Sequence, residues 1–289
     1  MSPATLKGYR IDLEQFCQAV SKTPDPFCRH SLNQYCRQLN AHYMPRTAKR
    51  KIASLKAFSR WLEFEDYFEA DPFRKVNTKT KRIKEIPRSL SLRSMQTILQ
   101  YAYSKAKHGN KSQSFYRTTK RNIAILELLF ATGLRVSELC SLKAEDIRYS
   151  PFSICVMGKG NKERSIPVEN QEVITALQKY MQISSGLRET RGYIFYNQNG
   201  NVISEQSVRN MVTKYAKEAG VSGKVTPHMI RHTFATLLLE QDVDIRYIQK
   251  MLGHSSILTT EIYTTVSDIK ERQVVALRHP RNRFSINTG

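Results

Sequence analysis

The chain is short of several things, and each shortage excludes something. Its five cysteines (Cys17, Cys28, Cys36, Cys140 and Cys155) are odd in number and nowhere spaced C-x-x-C. That argues against a disulfide framework or a thiolate zinc site and fits a reducing cytoplasm. No apolar run reaches the roughly 18 residues that a membrane span needs, so no membrane partner is expected. The first residues also lack the apolar core of a secretory signal. The GKG at Gly158–Gly160 has no Walker pattern around it, which argues against nucleotide binding. Asp and Glu form no cluster with metal-ligand spacing, so no metal is expected; no cofactor is expected either. Acidic residues are themselves scarce: 25 stand against 46 Lys and Arg, for a formal net charge of +21. Such an excess attracts a polyanion, nucleic acid before a ribosomal or membrane surface.

At 289 residues, two domains are the natural expectation. Leu6, Tyr9, Leu13, Phe16 and Val20 recur at helical spacing over residues 3–20, and Pro24 and Pro26 break the pattern. A second helix is expected over 31–42, with Leu32, Tyr35, Cys36 and Leu39 on one face. Pro45 opens a third, with Ile52, Leu55, Phe58, Ser59 and Leu62 inward and Arg46, Lys49, Arg50, Lys51 and Lys56 outward. These predict an all-helical domain over residues 1–73 whose basic face meets phosphates. Residues 74–88, RKVNTKTKRIKEIPR, are basic and aperiodic and read as an interdomain linker. Residues 89–289 form the second domain. In it Ser91 caps a helix, 105–119 reads as a loop, and an apolar helix ends at Gly133. Residues 152–157 and 164–168 form a β-hairpin, 193–196 adds a strand, and 204–219 is helical. The fold class is therefore mainly α with a small antiparallel β-sheet, the second domain being α+β.

The stretch from Thr226 to Tyr263 organises the rest. Thr226 and Pro227 read as the cap and first turn of a helix on which His228 and Arg231 share a face. Ile230, Phe234, Leu237 and Leu238 line its buried side. A further helix over 244–252 is stopped by Gly253, leaving His254 at its end. Four motifs stand in order: ATGLRVSEL at Ala131–Leu139, GKGNKER at Gly158–Arg164, HMIRHTFAT at His228–Thr236 and LGHSS at Leu252–Ser256, followed by Tyr263.

In these motifs the chain resembles the tyrosine recombinase (phage integrase) superfamily. TLKGYRIDLEQF, RKIASLKAFSRW and DPF in the first domain resemble the core-binding domain of Xer-type members. The resemblance starts near the first residue, so no arm-binding domain is expected in front of it. It implies a site-specific recombinase that cuts and rejoins duplex DNA through a 3′-phosphotyrosine and a Holliday junction, as a homo- or hetero-tetramer on two sites. It implies Tyr263 as nucleophile, Arg135 and Arg231 as phosphate clamps, His228 as a proton-transfer or hydrogen-bonding partner, and His254 as a donor to a non-bridging oxygen. Lys159 would protonate the leaving 5′-oxygen, with Lys162 on the same turn as its rival, and Glu138 would support the site. Tyr263-Thr264-Thr265 departs from the family's usual Tyr-Thr-His.

These residue types suit that chemistry. A tyrosine ester conserves the bond energy that hydrolysis would dissipate. Its hydroxyl titrates near ~10 in water and needs cations or a base nearby. Charge on the pentavalent phosphorus is matched by fixed guanidinium forks. Three alternatives remain at this stage: a type IB topoisomerase, a catalytically silent DNA-binding protein, and a basic RNA scaffold.

Overall fold

The computed structural model describes residues 3–80, 89–109, 112–158, 163–188 and 192–253. The chain divides into two compact units, Met1–Glu85 and Ile86–Gly289.

The first unit has three helices, α1 (Pro3–Ala19), α2 (Arg29–His42) and α3 (Pro45–Phe64), then a 3₁₀ turn at Pro72–Lys75. Phe16, Leu32, Tyr35, Leu39, Ile52, Leu55 and Phe73 are buried together at its centre. The inward positions of α2 and α3 follow the helical spacing of their apolar residues, with Phe58 and Leu62 only partly buried. One of the basic residues expected to face outward, Lys51, does not, whereas Arg50 stays exposed as expected. Lys51 is 4% exposed and donates to Asp12 Oδ1 at 3.2 Å and to Gln15, while Arg50 pairs with the other oxygen of Asp12. Ser54 completes the cluster at 2.8 Å. A fully buried carboxylate requires such partners, and their demand outweighs the tendency of lysine to stay in water.

The expected linker begins as part of this unit. Arg29 donates to the Lys75 carbonyl at 3.0 Å, the Asn77 amide to Asn33 at 3.0 Å, and Lys56 to Thr78 at 2.9 Å. The polar residues of 75–79 thus have partners on α2 and α3, which composition alone does not reveal. Residues 81–88, the rest of that stretch, lie outside the described residues.

The second unit runs α4 (Leu92–His108), α5 (Gln113–Thr132), α6 (Val136–Ser141), strands β1 (Ile147–Tyr149), β2 (Phe152–Met157) and β3 (Glu163–Pro167), then α7 (Gln171–Ile183), α8 (Ser185–Arg188), α9 (Glu205–Glu218), α10 (Pro227–Glu240) and α11 (Ile245–Leu252). The strands form one antiparallel sheet in the order β1-β2-β3, with Ile154 opposite Ile166 and Val156 opposite Arg164. The expected hairpin is there, and β1 extends it. Residues 193–196 make isolated bridges from Tyr193 to Lys143 and from Tyr196 to Val202. The loop expected over 105–119 is mostly helix. α4 continues to His108, and Ser112 caps α5 by accepting from the Phe115 amide at 3.2 Å. Polar residues on the solvent side of two helix ends had looked like a break.

α5 is the axis of this unit: Ile123, Ala124, Ile125, Leu126, Leu128 and Leu129 are all buried, against α4, α7 and α10. Caps set the helix starts, with Ser91, Asn170, Ser204 and Thr226 each accepting from an amide of the first turn. Ala235, Ile248 and Leu252 form a small apolar cluster of their own, with Phe234, Leu238, Leu239 and Val243 packed on it. Of the four residues expected on the buried side of α10, only Ile230 is fully buried. No helix among the described residues is long and apolar enough to cross a membrane.

Candidate active site

Gly133 closes α5 in the left-handed conformation (φ 60°) and turns the chain toward Arg135, the residue before α6. A Cβ there would lie 2.6 Å from Phe234 Cδ1 and 2.9 Å from Leu252 Cδ2, so both conformation and space demand glycine. Glu138, in the first turn of α6, reaches back. It accepts from the Arg135 amide at 2.8 Å and from Arg135 Nη1 at 2.7 Å.

The same carboxylate is gripped from β3. Arg164 Nη1 donates to Glu138 Oε1 at 3.0 Å and Nη2 to Oε2 at 2.8 Å, a bidentate fork. Arg164 Nε donates to the Met251 carbonyl at 2.8 Å. From α10, Arg231 donates to the Gly133 carbonyl at 2.6 Å and to the Leu252 carbonyl at 2.7 Å. Arg135 Nη2 donates to the Gly253 carbonyl at 3.2 Å. Three guanidinium groups from three parts of the chain therefore hold the successive carbonyls of Met251, Leu252 and Gly253. The end of an α-helix leaves such carbonyls without intrahelical partners and carries partial negative charge. Gly253, in the left-handed conformation (φ 65°), ends α11 as expected.

Arg135, Glu138 and Arg231 are thus brought together. The Arg135 side chain is 38% exposed, whereas Arg231 is 3% exposed. His228 is exposed on α10, one turn before Arg231, and His232 is buried. Lys159, Lys162, His254 and Tyr263 lie outside the described residues; His254 directly follows Gly253 in the chain. Burial pushes the Glu138 carboxyl up, but the Arg164 fork and the amide and guanidinium of Arg135 outweigh it. The carboxyl sits below its ordinary value and is ionised. Among the described residues no group of three or more His, Cys, Asp or Glu could hold a metal ion.

Arg164 was missed as a site residue, although it closes the GKGNKER motif. The signal lay in strand alternation: Arg164 shares the inward face of β3 with Ile166, and an inward arginine requires an acidic partner.

Residues 88–270 match the model of the phage integrase family. The chain belongs to the phage integrase family. The match takes in all the motifs from ATGLRVSEL to Tyr263. Similar relatives of this integrase-family chain extend over nearly its whole length. A tyrosine recombinase of Agathobacter rectalis is 40% identical over 281 residues, covering 97% of this chain and 92% of the relative. The tyrosine recombinase XerD of Halalkalibacterium halodurans is 34% identical over 290 residues, covering 97% and 93%. Among solved structures, the XerH site-specific recombinase in its post-cleavage complex with a palindromic difH substrate shares the fold. It matches with a TM-score of 0.80 at 20% identity, covering 95% of this chain and 80% of XerH. Neither a topoisomerase nor a silent DNA-binding protein is favoured by these relatives.

Proposed function

We propose that this integrase-family chain is a site-specific tyrosine recombinase of the Xer type, cutting and rejoining duplex DNA through a covalent 3′-phosphotyrosine. In this reading Tyr263 attacks the phosphorus while Arg135 and Arg231 neutralise its non-bridging oxygens. His254 donates to the same phosphate, His228 assists proton transfer, and Lys159 protonates the leaving 5′-oxygen. Glu138 keeps Arg135 in place. Residues 1–73 serve as the core-binding domain, 74–88 as a basic linker and 89–289 as the catalytic domain. Four copies, of this chain alone or with a second recombinase, exchange strands on two sites in the cytoplasm. The observation that supports this most is the pairing of Arg135 and Arg231 with the adjacent carbonyls of Gly253 and Leu252. That pairing sets both proposed clamps beside the residue that leads into His254. Fixed cations facing a developing phosphorane charge are where most of the catalysis in such a reaction resides.

The test uses a nicked duplex that traps the covalent adduct. Tyr263→Phe is expected to bind the duplex as the wild type does and to yield no adduct; an adduct from that variant moves the nucleophile elsewhere. Lys159→Ala is expected to cleave slowly and to recover on a duplex with sulfur at the 5′-bridging position, because a thiolate leaves without protonation.

A further inference from the structure

We propose that Arg164 is a positioning residue for strand cleavage, orienting Arg135 through Glu138 and fixing the end of α11 from which the chain runs on to His254 and Tyr263. This rests on the recombinase reading above and adds a residue to which that reading gives no part.

Arg164 is badly placed to touch DNA and well placed to hold what does. Its side chain is 9% exposed, against 38% for Arg135. All three of its nitrogens donate inward, two to Glu138 and one to the Met251 carbonyl. Glu138 in turn holds both the amide and Nη1 of Arg135, while Arg135 Nη2 reaches the Gly253 carbonyl two residues beyond Met251. These contacts close a ring: Arg164 to Glu138, Glu138 to Arg135, Arg135 to Gly253, and Gly253 along two peptide units to Met251 and back to Arg164.

A lysine could not make this ring, since one ammonium cannot span both carboxylate oxygens in plane and also reach a carbonyl on the other side. Gly253 is part of the same fit. A Cβ there would fall 2.9 Å from Arg164 Nη1 and 3.1 Å from its Cζ, so the guanidinium sits where only a glycine leaves it room.

If Arg164 only stabilised the fold, its loss would lower the melting temperature and leave the rate of folded protein unchanged. If it positions the clamp, the rate falls in protein that is folded and binds DNA. Charge gives a second handle. The charged groups acting on Glu138 are Arg164 from β3 and Arg135 from its own helix start. Glu205 and Arg209, on the helix α9 that packs against α6, act on Cys140 instead. With Arg164 gone, burial is opposed by Arg135 alone, and Glu138 takes up a proton at a higher pH than before.

The experiment compares full-length wild type, Arg164→Met and Arg164→Lys on one probe. The probe is the duplex recovered by binding selection from a randomised pool, nicked to trap the adduct. Both variants are expected to melt cooperatively and to bind this duplex within about threefold of wild type, as befits a group that touches no phosphate. The adduct rate at saturating protein is expected to fall about a hundredfold in Arg164→Met, the scale of a misplaced catalytic group, and less in Arg164→Lys. The ratio of the Arg164→Met rate to the wild-type rate is expected to rise with pH, as Glu138 ionises in the variant at a higher pH than in the wild type. Rates equal to wild type in both variants, or a ratio flat with pH, overturn the inference. So does loss of the melting transition or of duplex binding in both variants, because the arginine then serves the fold alone. Absence of an adduct from the wild type overturns the recombinase reading and this inference with it, whereas unchanged rates in the variants overturn only the part given to Arg164.

Discussion

Arg231 Nη1 lies 2.6 Å from the Gly133 carbonyl oxygen, which ties α10 to the turn that delivers Arg135. Its other terminal nitrogen holds the Leu252 carbonyl at 2.7 Å. Both of these acceptors are backbone atoms at the ends of helices, so the fold itself helps to aim the guanidinium.

Arg231→Lys keeps the charge and loses the fork. The rate of covalent adduct formation is expected to drop about 10²- to 10³-fold, the cost of removing one preorganised donor, with duplex affinity changing far less. A nicked-duplex assay beside a gel-shift titration measures both. An equal loss in the two would mean that Arg231 holds DNA in general rather than the reacting phosphate.

Gly133→Ala combines a left-handed backbone with a clash against Phe234 and Leu252. A loss of about 1–3 kcal/mol in urea unfolding is expected. Gly220→Ala is the control: its φ is +77°, but nothing lies within 4 Å of an added Cβ. It should cost less than Gly133→Ala, and the difference isolates the clash.

Glu127 is 6% exposed on α5, and its carboxylate accepts from the Tyr103 hydroxyl at 2.8 Å. Burial pushes its carboxyl up, and the Tyr103 hydrogen bond only partly offsets this. A carboxyl raised on folding contributes stability that is fully present below its unfolded value and is lost as pH rises through the folded one. Glu127→Gln, neutral throughout, is therefore expected to melt higher than wild type at pH 7, with the gap closing toward about pH 4, where both side chains are neutral. A gap that widens on acidification would reverse the sign and rule out burial as the cause.

In the first unit, Asp12→Ala strands Lys51 with Gln15 as its remaining acceptor there. Breaking a buried pair on one side costs about 3–5 kcal/mol. Asp12→Ala is expected to lower the melting of the first unit without moving that of the second, as resolved by calorimetry. A shift in both together would mean that the two units unfold as one.

How much of this was legible in the sequence differs from residue to residue. The helices around Leu32 and Ile52 could be read from spacing, because apolar side chains at helical intervals have one way to be buried, and the helix that ends at Gly133 from its apolar richness. The stop at Gly133 and the cap at Thr226 were legible for the same local reason. Lys51 was not, because its partner Asp12 stands 39 residues away and only packing reveals which polar groups leave water. Arg135, Glu138 and Arg231 could be picked out by motif, yet nothing in the motifs says that the carbonyls of Met251, Leu252 and Gly253 at the end of α11 bind the arginines together. Arg164 was not legible because its partners, Glu138 and the Met251 carbonyl, lie in two distant stretches of the chain.

The satellite cluster of Ala235, Ile248 and Leu252 has a dynamic consequence. α11 leans on a few apolar contacts and on the three guanidinium groups, apart from the deep core around α5. Its amides should exchange with solvent sooner than those of Ile125 or Leu128, as a cooperative unit of low local stability. Each such opening strips acceptors from all three arginines at once, so the three acceptors are lost in a single step.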